Sequence, residues 1–286
     1  MKESNNIINY SYDLLEVSSL AGAEEVVKVC FNRPNKRNAF SRKMFEEYRN
    51  CFQKIKNDPL VNCVIVCGSG PIFSAGIDFK EIFEPAATDE ISSNDPARNA
   101  LKKKDMLLSF QDSLSQAESC DKPVIMAVHG NCIGLGIDII TAGDIRLCTK
   151  DTKFSVKEVD LALAADIGTL QRLPKVVSNH SWAREVCYTA RVFDGKEALQ
   201  FGLVSQIFDT QDGLMEAASK LAIEIAKKSP IAVLGTKHLL NYSRDHTVSE
   251  GLTYTATWNS VMLQTEDIPT AIEAMMSKSI PKFSKL

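Results

Sequence analysis

The stretch Pro123-Val-Ile-Met-Ala-Val128-His-Gly130-Asn-Cys-Ile-Gly134-Leu-Gly136-Ile-Asp138-Ile-Ile-Thr-Ala142 decides the fold class of this chain. It opens on an uncharged apolar run of strand length, stopped by His129-Gly130. From Gly134 to about Ala142 it reads as a helix that is apolar on every side and must therefore be buried. A buried strand that turns through glycines into a buried helix is the repeating unit of a covered α/β sheet.

Working outward, two similar runs come earlier. Val26-Val-Lys-Val-Cys-Phe31 is rich in β-branched residues and stops at Asn32-Arg33-Pro34-Asn35. Val61 to Cys67 is another, ended by Gly68-Ser69-Gly70. Between them, Ser41 caps an amphipathic helix through about residue 56, with Met44, Phe45, Tyr48, Phe52 and Ile55 at helical spacing. Residues 85–98 are polar and proline-flanked, which predicts a mobile loop before a long helix from about 98 to 118. Ser229-Pro230 pairs an N-cap with proline at the first helical position, so a helix of about 12–15 residues starts there. The order implies an α/β core over residues 1–205 and a helical C-terminal region over 206–286.

Composition narrows the function classes. With 33 basic and 36 acidic residues the net charge is -3, and no long Lys/Arg run offers the footprint that nucleic acid requires. No apolar stretch approaches the roughly 20 residues of a membrane helix. The eight cysteines are scattered without a Cys-x-x-Cys pair and read as small buried hydrophobes in a reducing compartment. The four histidines show no metal-ligand spacing, so no metal is expected. The glycine turn lacks the third glycine of a dinucleotide-binding fingerprint, and there is no Gly-Lys-Ser/Thr phosphate loop.

The chemistry-bearing residues cluster at two turns. Phe73-Ser-Ala75-Gly76-Ile77-Asp78-Phe79 follows one strand, and Gly134-Leu135-Gly136 follows another. Glycines there allow close approach of a ligand, and a helix start offers unpaired N–H groups at a positive dipole end. One N–H from each turn can form an oxyanion hole, worth about 2.7–4 kcal/mol per donor in a dry site. Three carboxylates sit in surroundings that raise suspicion: Asp138 and Asp166 among apolar neighbours, and Glu158 just ahead of Asp166. Burial pushes such groups up towards the range useful for proton transfer. The plainer readings are a hydrogen bond from a backbone amide for Asp138, a loop charge for Glu158, and a turn or cap for Asp166.

Asn32-Arg-Pro-Asn-Lys-Arg-Asn38-Ala39, Phe73-Ser-Ala-Gly-Ile-Asp78, Lys122-Pro-Val-Ile…Gly134-Leu-Gly136-Ile-Asp138, Asp144-Ile-Arg146 and Gln171-Arg-Leu-Pro174 resemble, in order, the motifs of the crotonase (enoyl-CoA hydratase/isomerase) family. Val156-Lys-Glu158…Asp166-Ile-Gly-Thr, Tyr242-Ser-Arg-Asp-His246 and Ala256-Thr-Trp258 are similar to its Δ3,5-Δ2,4-dienoyl-CoA isomerase branch. The resemblance implies a ββα spiral core, a helical C-terminal trimerisation region and trimers paired into hexamers. It implies an acyl-CoA substrate, no cofactor, and isomerisation of 3,5-dienoyl-CoA to 2,4-dienoyl-CoA within fatty-acid β-oxidation. Carried over by position, Glu158 exchanges a proton at the second carbon and Asp166 at the sixth, while Asp138 tunes or orients the pair. Ile77 and Leu135 give the oxyanion N–H groups; Arg37, Ala39, Ala75, Gly76, Asp78 and Phe79 lie along CoA.

Leu135 stands where the family usually has glycine; the N–H survives, since only proline removes it, but the side chain must find room. The rival readings are a 2-enoyl-CoA hydratase or Δ3,Δ2-enoyl-CoA isomerase, and a non-catalytic acyl-CoA-binding protein of the same fold. A hydratase wants two glutamates around a water, whereas one of those positions is Asp138 and Asp166 would have no task. The terminal Ser284-Lys285-Leu286 reads as the tripeptide recognised by the peroxisomal import receptor. The N-terminus, with Glu3, Asp13 and Glu16, does not look like a transit peptide.

Overall fold

A computed structural model describes residues 10–83 and 95–286. The chain begins with a hairpin of β1 (Leu15–Leu20) and β2 (Ala23–Phe31), antiparallel across a turn where Gly22 has φ 79°. Thereafter the main sheet grows only by parallel additions: β3 (Cys63–Gly68), β4 (Val124–Val128), β6 (Ile145–Thr149) and β9 (Gln206–Phe208). The six strands lie in the order β1-β2-β3-β4-β6-β9. A smaller sheet combines β5 (Asn131–Ile133), β7 (Lys153–Ser155) and β8 (Phe193–Asp194) in the order β5-β7-β8.

The helices follow from caps and periodicity. Helix α1 (Arg42–Lys56) starts where the Ser41 side chain accepts the Met44 N–H, and α2 (Phe79–Phe83) is one short turn. Helix α3 (Pro96–Ser119) is capped by Asp95, two residues earlier than the sequence predicts, because that carboxylate accepts the Ala97 and Arg98 N–H groups. The mobile loop predicted over 85–98 lies outside the described residues as far as 94, and its last residues belong to this cap and first turn. Then come α4 (Leu135–Thr141), α5 (Thr169–Val176), α6 (His180–Thr189), α7 (Gly195–Gln200) and α8 (Gln211–Ala226). The C-terminal helices are α9 (Pro230–Ser243), α10 (Val248–Met262) and α11 (Asp267–Ser277).

Strands β3 and β4 are buried along their whole length, which explains why their sequences are continuous apolar runs rather than alternating ones. Val64 and Val66 face one core with Phe45, Tyr48 and Leu114 from α1 and α3. Cys63, Ile65 and Cys67 face the other, built with Leu214, Ala218 and Ala222 of α8. All eight cysteines are buried free thiols. The division after residue 205 needs correction: it falls ahead of β9, which pairs with β6, and of α8, which covers that sheet. The helical extension starts at Pro230, and Lys237 ties it to the core through Asp144 at 2.8 Å and the Ala117 and Lys122 carbonyls.

Asn38 holds together the loops that leave β2 and β3. It is fully buried, with φ 52°, a left-handed conformation that asparagine tolerates. Its Nδ2 donates to the Ser69 and Ile72 carbonyls, both at 2.9 Å, and its Oδ1 accepts the Arg33 N–H at 3.0 Å. Replacing it by alanine strands three backbone groups, one of the costliest losses available to a small side chain. Asn38→Ala is expected to lower stability by about 2–3 kcal/mol, read as an earlier urea midpoint with an unchanged slope.

Candidate active site

The two glycine-bearing turns meet edge to edge. Segment 74–78 runs like a strand between two neighbours: Ala75 N–H donates to the Arg37 carbonyl, and Ser74 N–H to the Asn131 carbonyl. Phe40 N–H reaches the Gly76 carbonyl at 2.8 Å, and Ile133 N–H the Ser74 carbonyl at 3.1 Å. Gly76 has φ 98°, and a β-carbon there would sit 2.9 Å from the Ile133 carbonyl oxygen and 3.7 Å from Leu135 N. Gly134 (φ 54°, ψ -117°) makes the bend into α4. Neither Ile77 N–H nor Leu135 N–H donates to a protein acceptor among the described residues. The Leu135 side chain finds its room in the core, where it is 2% exposed, and its N–H is the first of α4.

One turn along α4, Asp138 is almost completely buried. Its Oδ1 accepts the Thr169 N–H at 2.6 Å, so it caps the start of α5 from a neighbouring helix. The plainer reading of Asp138, a hydrogen bond to a backbone amide, is thus part of the structure. Burial pushes its carboxyl up to about 7, the Glu158 charge adds to this, and the Thr169 bonds and Arg172 oppose it.

Glu158 follows β7 and opens a 3-10 turn, Glu158–Leu161, which ends at Ala162 in the left-handed region. Its Oε1 lies 3.3 Å from where a β-carbon on Gly134 would be, so only glycine leaves it this space. Its Oε2 is buried with no hydrogen-bond partner among the described residues. Burial raises the Glu158 carboxyl, as does the nearby Asp166, against hydrogen bonds from backbone amides. Asp166 is raised by partial burial, yet it stays open to solvent. Gln111 of α3 fixes its backbone by donating to the Asp166 carbonyl at 2.6 Å.

These groups share one cavity of about 330 Å³, lined by Ala75, Gly76, Ile77, Phe79, Leu135, Asp138, Glu158 and Asp166. Arg37, Ala39 and Asp78 are not among the residues that line it. Arg37 is exposed and contributes its carbonyl to Ala75; Ala39 is buried and accepts from Arg33. Asp78 pairs with Arg33 at 2.7 Å; burial alone would raise its carboxyl, but the guanidinium holds it below the usual range. Sequence reasoning missed Arg42, Thr169 and the α3 wall of Lys103, Met106, Leu107 and Phe110. The α3 residues fall at i, i+3, i+4 and i+7, a helical stripe that was there to be read.

Residues 21–285 match the sequence profile of the enoyl-CoA hydratase/isomerase family. The mouse protein "Delta(3,5)-Delta(2,4)-dienoyl-CoA isomerase, mitochondrial" is 45% identical over 98% of this chain and 85% of its own length. The Arabidopsis thaliana "Delta(3,5)-Delta(2,4)-dienoyl-CoA isomerase, peroxisomal" is 42% identical over 96% of this chain and 99% of its own. Among solved structures, an enoyl-CoA hydratase from Bacillus anthracis superposes with a TM-score of 0.83 at 26% identity, over 95% of this chain and 99% of that one. The matched span takes in both turns and all three acids, and the chain belongs to the enoyl-CoA hydratase/isomerase family.

Proposed function

We propose that this protein converts 3,5-dienoyl-CoA to 2,4-dienoyl-CoA by moving one proton off the acyl chain and another onto it. The observation that carries this reading is the set of three carboxyl groups, all pushed upward by burial, facing one largely apolar cavity beside two undonated N–H groups. The Glu158 carboxylate takes a proton from the second carbon. The electron pair left behind spreads over the diene and onto the thioester oxygen, where the Ile77 and Leu135 N–H groups stabilise it. Protonated Asp166 gives its proton to the sixth carbon, and the double bonds come to rest at positions 2 and 4. Asp166 is exposed and Glu158 half-buried; an acyl chain laid over Asp166 dries that acid and raises its carboxyl, which puts the proton there and leaves Glu158 the base. Neither metal nor redox cofactor enters this shuttle.

Asp138 supports the pair without touching the chain. Protonated as pH falls below about 7, it spares Glu158 a neighbouring charge, and its bond to Thr169 fixes the segment that follows Asp166. A hydratase would need this second carboxylate to grip a water, whereas its Oδ1 is already committed to Thr169. The Ser284-Lys285-Leu286 tripeptide supports a peroxisomal location through the import receptor, and the relatives include both peroxisomal and mitochondrial proteins.

In a spectrophotometric assay on 3,5-dienoyl-CoA, Glu158→Gln and Asp166→Asn should each lower kcat at least about 100-fold, with 2-enoyl-CoA hydration minor throughout. Strong hydration without isomerisation would instead assign the hydratase reaction. Asp138 also gives a stability signature. Between about pH 4 and pH 7 the folded state keeps a proton that the unfolded chain has lost, so stability falls as pH rises through that window. Asp138→Asn keeps an acceptor for Thr169 without this titration, so its urea midpoint should gain on wild type between pH 5 and pH 8. A constant difference would mean that Asp138 does not titrate there. A fluorescent fusion at the N-terminus should move from peroxisomes to cytosol when Ser284-Lys285-Leu286 is deleted.

A further inference from the structure

The apolar wall of the cavity holds a cation with nothing adequate to bind. Arg42, the first residue of α1, lines the cavity alongside Ile82, Met106 and Phe110. Its Nε is buried and has no partner among the described residues. Its Nη2 has only a 3.5 Å approach to the Ile82 carbonyl and a 3.7 Å approach to the Met106 sulfur. The first is long for an N–H···O bond and the second ends on a thioether, a weak acceptor, so neither replaces the water a guanidinium has lost. The surroundings are dry: Ile82 is 2% exposed and Phe110, stacked on Phe45 at 4.3 Å, is 7% exposed. By contrast, Arg33, one loop earlier, is fully engaged with Asp78 and Glu81.

Arg42 is half-buried, and a guanidinium whose Nε is shut from water without a partner among the described residues is retained at a cost unless a ligand brings the counter-charge. Resting on the isomerase reading of the cavity, we propose that Arg42 selects acyl chains carrying an anionic oxygen away from the thioester, in the simplest case an ω-carboxylate. A carboxylate answers the planar guanidinium fork in a way that no methyl terminus does. The phosphates of CoA fit poorly here, since they need a wet groove and the neighbours of Arg42 in the cavity, Ile82, Met106 and Phe110, are apolar and buried or partly buried.

The test compares two 3,5-dienoyl-CoA substrates of equal chain length, one methyl-ended and one ending in a carboxylate, on wild type, Arg42→Met and Arg42→Lys. Wild type should favour the carboxylate-ended substrate in kcat/KM. The ratio of the two kcat/KM values should fall at least tenfold in Arg42→Met and be largely retained in Arg42→Lys, which keeps the charge. Because the ratio is taken within one protein, a partly unfolded variant does not disturb it. An unchanged ratio in Arg42→Met overturns the inference. So does an equal rise in KM for both substrates with a matching rise in the inhibition constant of free CoA, which would turn the guanidinium towards CoA. Wild type that isomerises neither substrate would sink the isomerase reading itself, a result separable from these.

Discussion

The site rests on the way Asn38 satisfies backbone groups that no strand can reach. Where β2 and β3 end, their loops must travel across the same edge of the sheet, and their carbonyls lose the ladder partners that the strands enjoyed. One amide side chain, with two donors and an acceptor, ties Arg33, Ser69 and Ile72 into a single unit. The approach is so close that a β-carbon on Gly68 would lie 2.9 Å from Asn38 Nδ2. From that knot, Ala75 and Gly76 acquire their rails on Arg37 and Phe40, and Ile77 N–H acquires its direction. The direction of that N–H is therefore a consequence of loop packing several residues away.

Polar groups inside the cavity are unfavourable to the fold, and the surrounding structure offsets them. Asp138 is eased by Thr169, while Glu158 keeps one oxygen without a partner among the described residues. Outside the cavity, Glu118 of α3 pairs with Arg172 of α5 at 2.7 Å and also with Arg244 just beyond α9. That triad fixes α5, whose first N–H holds Asp138, against α3, whose Gln111 holds the backbone of Asp166. Sites built for proton transfer commonly violate local rules in this way and are stabilised by a regular frame.

Most of the frame was legible because its signals are local. The buried strands β3 and β4, the Ser41 cap of α1 and the Ser229-Pro230 start of α9 each lie within a few residues of sequence. The strands β5, β7 and β8 were not read, since two or three residues carry no period and owe their pairing to chain brought from elsewhere. At the site, the glycine turns and the setting of the carboxylates marked candidates, and the family resemblance singled out Ile77, Leu135, Asp138, Glu158 and Asp166, which the structure brings to one cavity. The placing of Asp78 in an ion pair with Arg33 was not, because that partner is 45 residues away in the chain. Nor was the bond from Thr169 to Asp138, which spans 31 residues.

The eight free thiols carry a consequence for the lifetime of the molecule. Folded, the chain offers oxidants no exposed thiol, for every cysteine is enclosed in one core or the other. Each global opening uncovers all of them together, and an oxidised or cross-linked sulfur cannot return to a close-packed interior. Loss of thiols in an oxidising setting is then timed by how often the fold opens, while the exposed Met275 and Met276 meet oxidants without any opening.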